Sequence, residues 1–380
     1  MAVIYFVIIF FFIILLLILL YLTFSKVKVE IDERRVKQVE GRIRPIFDKH
    51  MGLGDESDIP SNEILDLRKQ VQKKAGLQAF NSIYFARKKQ DGLTEKLHNY
   101  VKLIVDYQTI SNNRIVRDKY RKSYILFLCA EYYIRSEEVI QFALESVNDK
   151  SLYVRNNALR VLANIGDVDV FMEAYHRISE GKLYFNNKFI VDLMDGFQGD
   201  AQELNRRLVT NIAEFSAKIQ KNIIDHFSNQ RISGFSNEIL SLVQSSEDKE
   251  LIIAGIRYFG EIHTPEAYNF IVDNLKSENY EVRAVCAKAL ALYPGDKTVQ
   301  LLKVNITDSN WSVRLNCANT LIHLEKEDVF NKNGSVAEII RGNDKFAREI
   351  MTYTLYSKGL IRLDQDPLAY FQAENMGKEE

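Results

Sequence analysis

Residues 282–296 read VRAVCAKALALYPGD and residues 313–327 read VRLNCANTLIHLEKE, 31 positions on; residues 154–167, VRNNALRVLANIGD, open in the same way. Four residues after each Val stands a small side chain (Ala158, Cys286, Cys317), and four further on a leucine (Leu162, Leu290, Leu321). Positions i, i+4 and i+8 share one helix face, so each segment predicts a helix with an apolar line. The same line recurs as Tyr120-Tyr124-Leu128, Phe185-Phe189-Leu193, Ile219-Ile223-Phe227, Leu251-Gly255-Phe259 and Phe346-Ile350-Thr354. The anchors 120, 154, 185, 219, 251, 282, 313 and 346 are then spaced by 31 to 34 residues. Second apolar helices fill the intervals, as at 137–144 and 265–272, the latter led by Thr264-Pro265, an N-cap followed by proline at the first helical position. Gly166-Asp167 and Gly295-Asp296 punctuate the turns. Each unit is expected to be a helix pair that buries its apolar face only by stacking on its neighbours. Five prolines and seventeen glycines in 380 residues are too few for a turn-rich β fold, and 47% hydrophobic residues are too many for a disordered chain.

Residues 2–24, AVIYFVIIFFFIILLLILLYLTF, carry no charge. As a helix they span about 35 Å, enough to cross a hydrocarbon core of about 30 Å. The run is longer than a signal-peptide core and lacks a basic start and a small-residue cleavage site, which predicts an uncleaved anchor. Tyr5 and Tyr21 lie near its ends. Lys26, Lys28, Arg34, Arg35 and Lys37 follow it, and the positive-inside rule puts that side in the cytoplasm. Cys129, Cys286 and Cys317 are odd in number and widely separated, which fits buried thiols in a reducing compartment.

The net charge of −1 hides an asymmetry: between Arg68 and Lys122 fourteen Lys or Arg face four acids. Among them, Arg68, Lys69, Lys73, Lys74, Arg87, Lys88, Lys89, Arg117, Lys119, Arg121 and Lys122 are candidate contacts for anionic lipid or for an acidic partner protein. Solvated helix faces account for the same residues. Nucleic acid fits poorly with a membrane tether and a near-neutral total.

No catalytic, cofactor or metal site is expected. The histidines (His50, His98, His176, His226, His263, His323) show no metal-ligand spacing, and no HExxH, GxSxG or Walker A motif occurs. Gly52-Leu53-Gly54 lacks the rest of a phosphate-binding fingerprint. Asp192 with Asp195, and Glu325 with Glu327, read as acids on solvated faces. Tyr280 and Trp311 fall in register just before two Val-Arg pairs and form a candidate partner-binding ridge, or else pack between repeats.

The pattern D-x-x-x-x-V-R-x-x-A-x-x-x-L, at Asp149 to Leu162 and, with Cys for Ala, at Asp308 to Leu321, resembles the HEAT repeat. The 31-residue spacing looks like the short bacterial form named after phycobilisome lyases. The resemblance implies an all-α solenoid, a right-handed superhelix of helix pairs that binds proteins. It also implies a structural ladder in which Arg155, Arg283 and Arg314 meet turn acids such as Asp149 and Asp308.

The expected plan is a transmembrane anchor (1–25), a juxtamembrane linker (26–61), a basic helical cap (62–117), a repeat solenoid (118–362) and a C-terminal tail (363–380). The expected function is that of a scaffold at the inner membrane, solenoid toward the cytoplasm, not an enzyme and without a cofactor. The plan resembles bacterial HEAT-repeat proteins that accompany a membrane-embedded glycosyltransferase in exopolysaccharide synthesis. A lyase-like enzyme and a ligand-sensing regulator are the alternatives.

Overall fold

The computed structural model describes residues 2–53, 58–112, 118–181, 183–362, 364 and 366–371. All regular structure among them is helical. The chain divides into two units, Met1–Ala174 and Tyr175–Glu380.

The first unit begins with α1 (Ala2–Gly52), a single 51-residue helix. Every large apolar side chain from Ile4 to Leu22, and Phe24, is exposed. The expected linker at 26–61 is different in the structure, because residues 26–52 continue this helix through Pro45. Their covered positions are Asp32, Val36, Val39, Glu40, Ile43, Ile46, Phe47, His50 and Met51, which recur every three or four residues and make one stripe, or seam, along a helix. Charges on the other faces hide that seam from a composition-based reading. The helix lies against α3, which follows α2 (Ser61–Val71) and spans Lys74–Asp91. Phe47 meets Phe80 and Tyr100 edge-on at 6.0 and 5.3 Å. His50 is fully buried. Its Nε2–H donates to Glu63 at 2.8 Å, and Nδ1 shares a hydrogen bond of 2.8 Å with the Tyr100 hydroxyl. Lys49 and His50 together hold the Glu63 carboxyl below its ordinary value.

Only Gln72 and Lys73 link α2 to α3. A Cβ on Gly76 would stand 1.9 Å from the Gln70 carbonyl oxygen, so this close approach requires glycine. The unit continues through α4 (Glu95–Ile104), α5 (Tyr107–Asn112), α6 (Asp118–Glu131), α7 (Glu137–Ser146) and α8 (Leu152–Ile165). The unit division falls within α9 (Val168–Glu180).

The second unit holds α10 (Asn187–Asp195), α11 (Ala201–Thr210), α12 (Ala217–Asn229), α13 (Ser236–Gln244), α14 (Lys249–Phe259), α15 (Tyr268–Asn274), α16 (Tyr280–Ala289), α17 (Asp296–Asn305), α18 (Trp311–Leu324), α19 (Ser335–Arg341) and α20 (Lys345–Ser357). Here each even-numbered helix packs on the next, from α10 to α20, and α13, α15, α17 and α19 each pair with the even helix that follows. In the first unit α6 and α8 stack in the same way. This is the expected all-α repeat architecture. The anchors Val154, Phe185, Ile219, Leu251, Val282 and Val313 are buried. Tyr120 and Phe346 are 60% and 59% exposed instead. At α20 only Phe346 departs from the expected line, since Ile350 and Thr354 are buried together with Ala347, Met351 and Leu355. A 3-10 turn, Pro367–Phe371, closes the described chain with Phe371 buried beside Phe330. The start of the expected tail is therefore docked, and its remainder, 372–380, lies outside the described residues.

Arg283 meets the turn acid Asp308 as expected, and all three ladder arginines also hold backbone carbonyls. Arg155 donates to the backbone carbonyls of Asp149 (2.8 Å) and Lys150 (3.1 Å). Arg283 does the same to Ser277 and Glu278, and Arg314 to Asp308 and Ser309. Each guanidinium thus ties down the turn before its own helix. The turn carboxylates look back one repeat: Asp149 receives Lys122 at 2.9 Å, and Asp308 receives Arg283 through two bonds of 2.7 and 3.0 Å. Asparagines add cross-helix bonds that the sequence reading missed, from Asn157 to Ser123 O (3.0 Å) and from Asn316 to Ala284 O (2.7 Å).

Burial pushes the Asp308 carboxyl up, but the Arg283 fork and the Asn310 N–H outweigh it and leave it below its ordinary value. Its stabilisation is therefore complete above the ordinary carboxylate range and is lost as pH falls through the lowered value. Arg283→Ala should cost roughly 2 kcal/mol at pH 7 and flatten the acid limb of the stability curve, as read by urea unfolding in micelles at pH 7 and at pH 3; an unchanged acid limb would remove this pair from the account. Gly76→Ala should cost roughly 1–3 kcal/mol in the same assay.

Candidate functional surfaces

The predicted basic residues do not form one face. Arg68 donates to the Leu103 carbonyl, Lys69 lies 3.8 Å from Asp66, and Lys74 pairs with Asp32 of α1 at 3.1 Å. Arg87 pairs with Asp91 at 2.6 Å, and Lys88 pairs with Glu131 at 2.8 Å between the rings of Tyr84 and Tyr133. Arg121 holds the Ser111 carbonyl, and Lys122 is the Asp149 partner. Lys73 and Lys89 are exposed and make no ion pair among the described residues. Arg117 and the side chain of Lys119 lie outside the described residues. Most of these charges thus have a structural task, and those left over lie at separate places on the first unit.

Tyr280 and Trp311 are both exposed, at the starts of α16 and α18. The ring beside Trp311 is Tyr353 of α20, centroids 6.4 Å apart. The Arg314 guanidinium lies 5.2 Å over the exposed Phe346 ring. The aromatic patch therefore centres on α18 and α20; the register argument did not reach Tyr353, and it placed Phe346 on the apolar line where the structure exposes it.

Sequence reading also missed a groove of about 970 Å³ across α10, α12, α14, α16 and α18, within the second unit. Its walls repeat the helical register: Val191, Asp225, Arg257, Lys288 and Asn319 each stand six residues after their anchor. Toward α10 and α12 the charges are mixed, with Lys188, Asp192 and an Asp225 that Lys221 pairs at 2.7 Å, whereas toward α14 and α16 the cations Arg257 and Lys288 outnumber Glu261, which Arg231 pairs at 3.4 Å. Arg231, at the lip, has φ of 52°, a left-handed conformation. It ends α12 as Gly166 (φ 73°) ends α8, Gly359 (φ 70°) ends α20 and Tyr133 (φ 53°) ends α6. The Ile232 N–H closes that end on the Phe227 carbonyl at 2.9 Å. Here the helix stop carries a long cation in place of glycine.

The reactive side chains are structural where the structure describes them. All three thiols are buried, and burial pushes the Cys129 thiol up to about 12. His226 is buried with Nδ1 2.5 Å from Asp195 and Nε2 3.0 Å from Asn205. Burial lowers its pKa, and the Asp195 hydrogen bond offsets only part of that. Asp195 is therefore not an idle solvated acid. Glu325 is not one either, since it accepts the Ser335 and Val336 N–H groups at 2.8 and 3.3 Å and caps α19. Among the described residues, no three His, Cys, Asp or Glu side chains gather as a metal site.

Residues 236–322, from α13 into α18, match the family model described as HEAT repeats. Among solved structures the chain is similar to the crystal structure of an engineered protein from a structural genomics consortium. The two are 14% identical over 86% of this chain and 94% of that one, with a TM-score of 0.35, too low to carry any argument. No curated protein matches.

A left-handed arginine costs about 1 kcal/mol relative to glycine. Arg231→Gly should therefore raise the unfolding midpoint in micelles, by up to about 1 kcal/mol of stability. A lowered midpoint would mean that the Arg231 side chain contributes more to the fold than its backbone strain costs.

Proposed function

We propose that this chain is a membrane-tethered binding scaffold in which α1 sits in a lipid bilayer and the groove over α10–α18 receives a segment of a partner protein. One observation carries this reading. Five consecutive repeats give equivalent positions to a single open surface, and its α14–α16 part carries the exposed cations Arg257 and Lys288. Helices pack about 8–10 Å apart, so five of them offer roughly 35 Å, the reach of about ten extended residues. A segment carrying acidic side chains would complement the α14–α16 part of the groove.

The exposed apolar run from Ile4 to Phe24 supports the tether, because water would otherwise cover all of it. The basic flank that follows supports a cytoplasmic location for the rest of the chain. We take the chain to be a binding protein rather than an enzyme. In the more specific form of the proposal, the partner is a membrane-embedded glycosyltransferase, and the support for that is the plan of anchor plus repeats. The competing reading, a sensor for a small ligand, draws on the groove volume, which lies within the range of small-molecule pockets.

Crosslinking mass spectrometry on intact membranes tests the proposal. Crosslinks should run from the groove helices to one membrane protein. The double charge reversal Arg257→Glu/Lys288→Glu should reduce them at least tenfold, with stability changed by less than about 0.5 kcal/mol because both side chains are exposed. Tyr280→Ala/Trp311→Ala serves as the contrast. If only the aromatic variant loses the crosslinks, the partner binds the α18–α20 edge and the groove proposal is wrong.

A further inference from the structure

The helix directions in the first unit sort its charges by distance from the apolar run. Glu63, at the start of α2, is held by Lys49 and His50 near the far end of α1. Lys74, just past the end of α2, reaches back to Asp32, only eight residues after Phe24. So α2 runs antiparallel to α1, and the α2–α3 turn lies at the end of the unit nearest the apolar run. The contacts of α4 say the same. Lys96 near its start holds the Met51 carbonyl, and Leu103 near its end holds Arg68.

This arrangement collects Arg68, Lys69, Lys73, Lys74 and Lys102 at one end, beside five further Lys or Arg at 26–37 of α1. Against these ten cations stand Asp66 and Asp106 and the three acids at 30–33. Eight helical residues rise about 12 Å. The headgroup layer beyond the hydrocarbon core is about 5–8 Å thick. The turn therefore stands within about one Debye length, 8–10 Å, of the lipid charges. Arg87, Lys88 and Lys89 sit at the other end of α3, about 20 Å further out by helical rise.

We infer that the α2–α3 turn, with Lys69, Lys73 and Lys74, is a docking surface for anionic phospholipid of the same bilayer that holds α1. The inference rests on the proposal that α1 is membrane-embedded. It divides the basic stretch in two, a lipid-facing end at 68–74 and an outer end at 87–89 that takes no part. The Lys74–Asp32 pair and the tight link at Gly76 fix the height of the turn above the membrane. Lys69 and Lys73 supply the exposed charge.

The test uses the full chain in nanodiscs of phosphatidylcholine alone or with one-quarter phosphatidylglycerol, doped with a headgroup-nitroxide lipid. The native thiols are buried, so a maleimide fluorophore will label Gln72→Cys selectively, and Gln90→Cys in a second preparation. The probe at 72 should be quenched at least twofold more when phosphatidylglycerol is present. Lys69→Gln/Lys73→Gln, which keeps the Lys74–Asp32 pair, should abolish that increment, as should 0.5 M NaCl. The probe at 90 should not respond to lipid charge. Quenching at 72 that ignores phosphatidylglycerol, or that survives the double substitution, overturns the inference and leaves the turn as a surface for a protein. A chain that does not co-elute with the discs overturns the membrane reading itself, and this inference with it.

Discussion

Each stacked helix of the repeats must bury one apolar line, and the middle position of that line decides how closely another helix can approach. Gly255 shows the limit. A Cβ there would meet Val243 of α13 at 2.6 Å, so the valine occupies the space that a side chain would take. Ala158, Cys286 and Cys317 hold the same position with small groups and are all fully buried. Where the middle residue is larger, as at Ile223, it is buried as well, so the fit is set repeat by repeat. A helix pair taken alone would leave these lines wet, which is why the repeats stack on one another. The turns, the arginine clamps and the cross-helix asparagines all serve that stacking.

The sequence was most legible where one physical rule acts alone. Apolar periodicity located six buried anchors, and the uncharged run at the start located the exposed part of α1. It was least legible where two signals overlap. In residues 26–52 charges outnumber the seam positions, so the helix reads as a polar linker although Ile43, Phe47 and His50 are fully buried. The helix stops were half visible: Gly166 and Gly359 are conventional signals, while Tyr133 and Arg231 adopt the same backbone without glycine. The groove was not legible, because its lining residues are scattered, ordinary surface types. They become a site only when five repeats place them side by side.

Charge in this protein is organised by range. Each repeat arginine works locally, on carbonyls five and six residues back, where the backbone of a turn would otherwise lack partners. The carboxylates of those turns work over the next distance, reaching a cation of the preceding repeat. The groove and the α2–α3 turn retain exposed charges that these tasks do not consume. Neutrality of the whole chain therefore says little about its surfaces, which differ in sign from place to place.

The seam of α1 has a mechanical consequence. The helix runs without interruption from the apolar segment to the buried His50, and Asp32, Ile43 and Phe47 fasten the first unit to it along that length. A flexible tether would let the attached body tumble. A continuous rod gives it no swivel, so the azimuth of α1 is also the azimuth of the first unit. Any tilt or rotation imposed on the apolar end of α1 turns the first unit through the same angle.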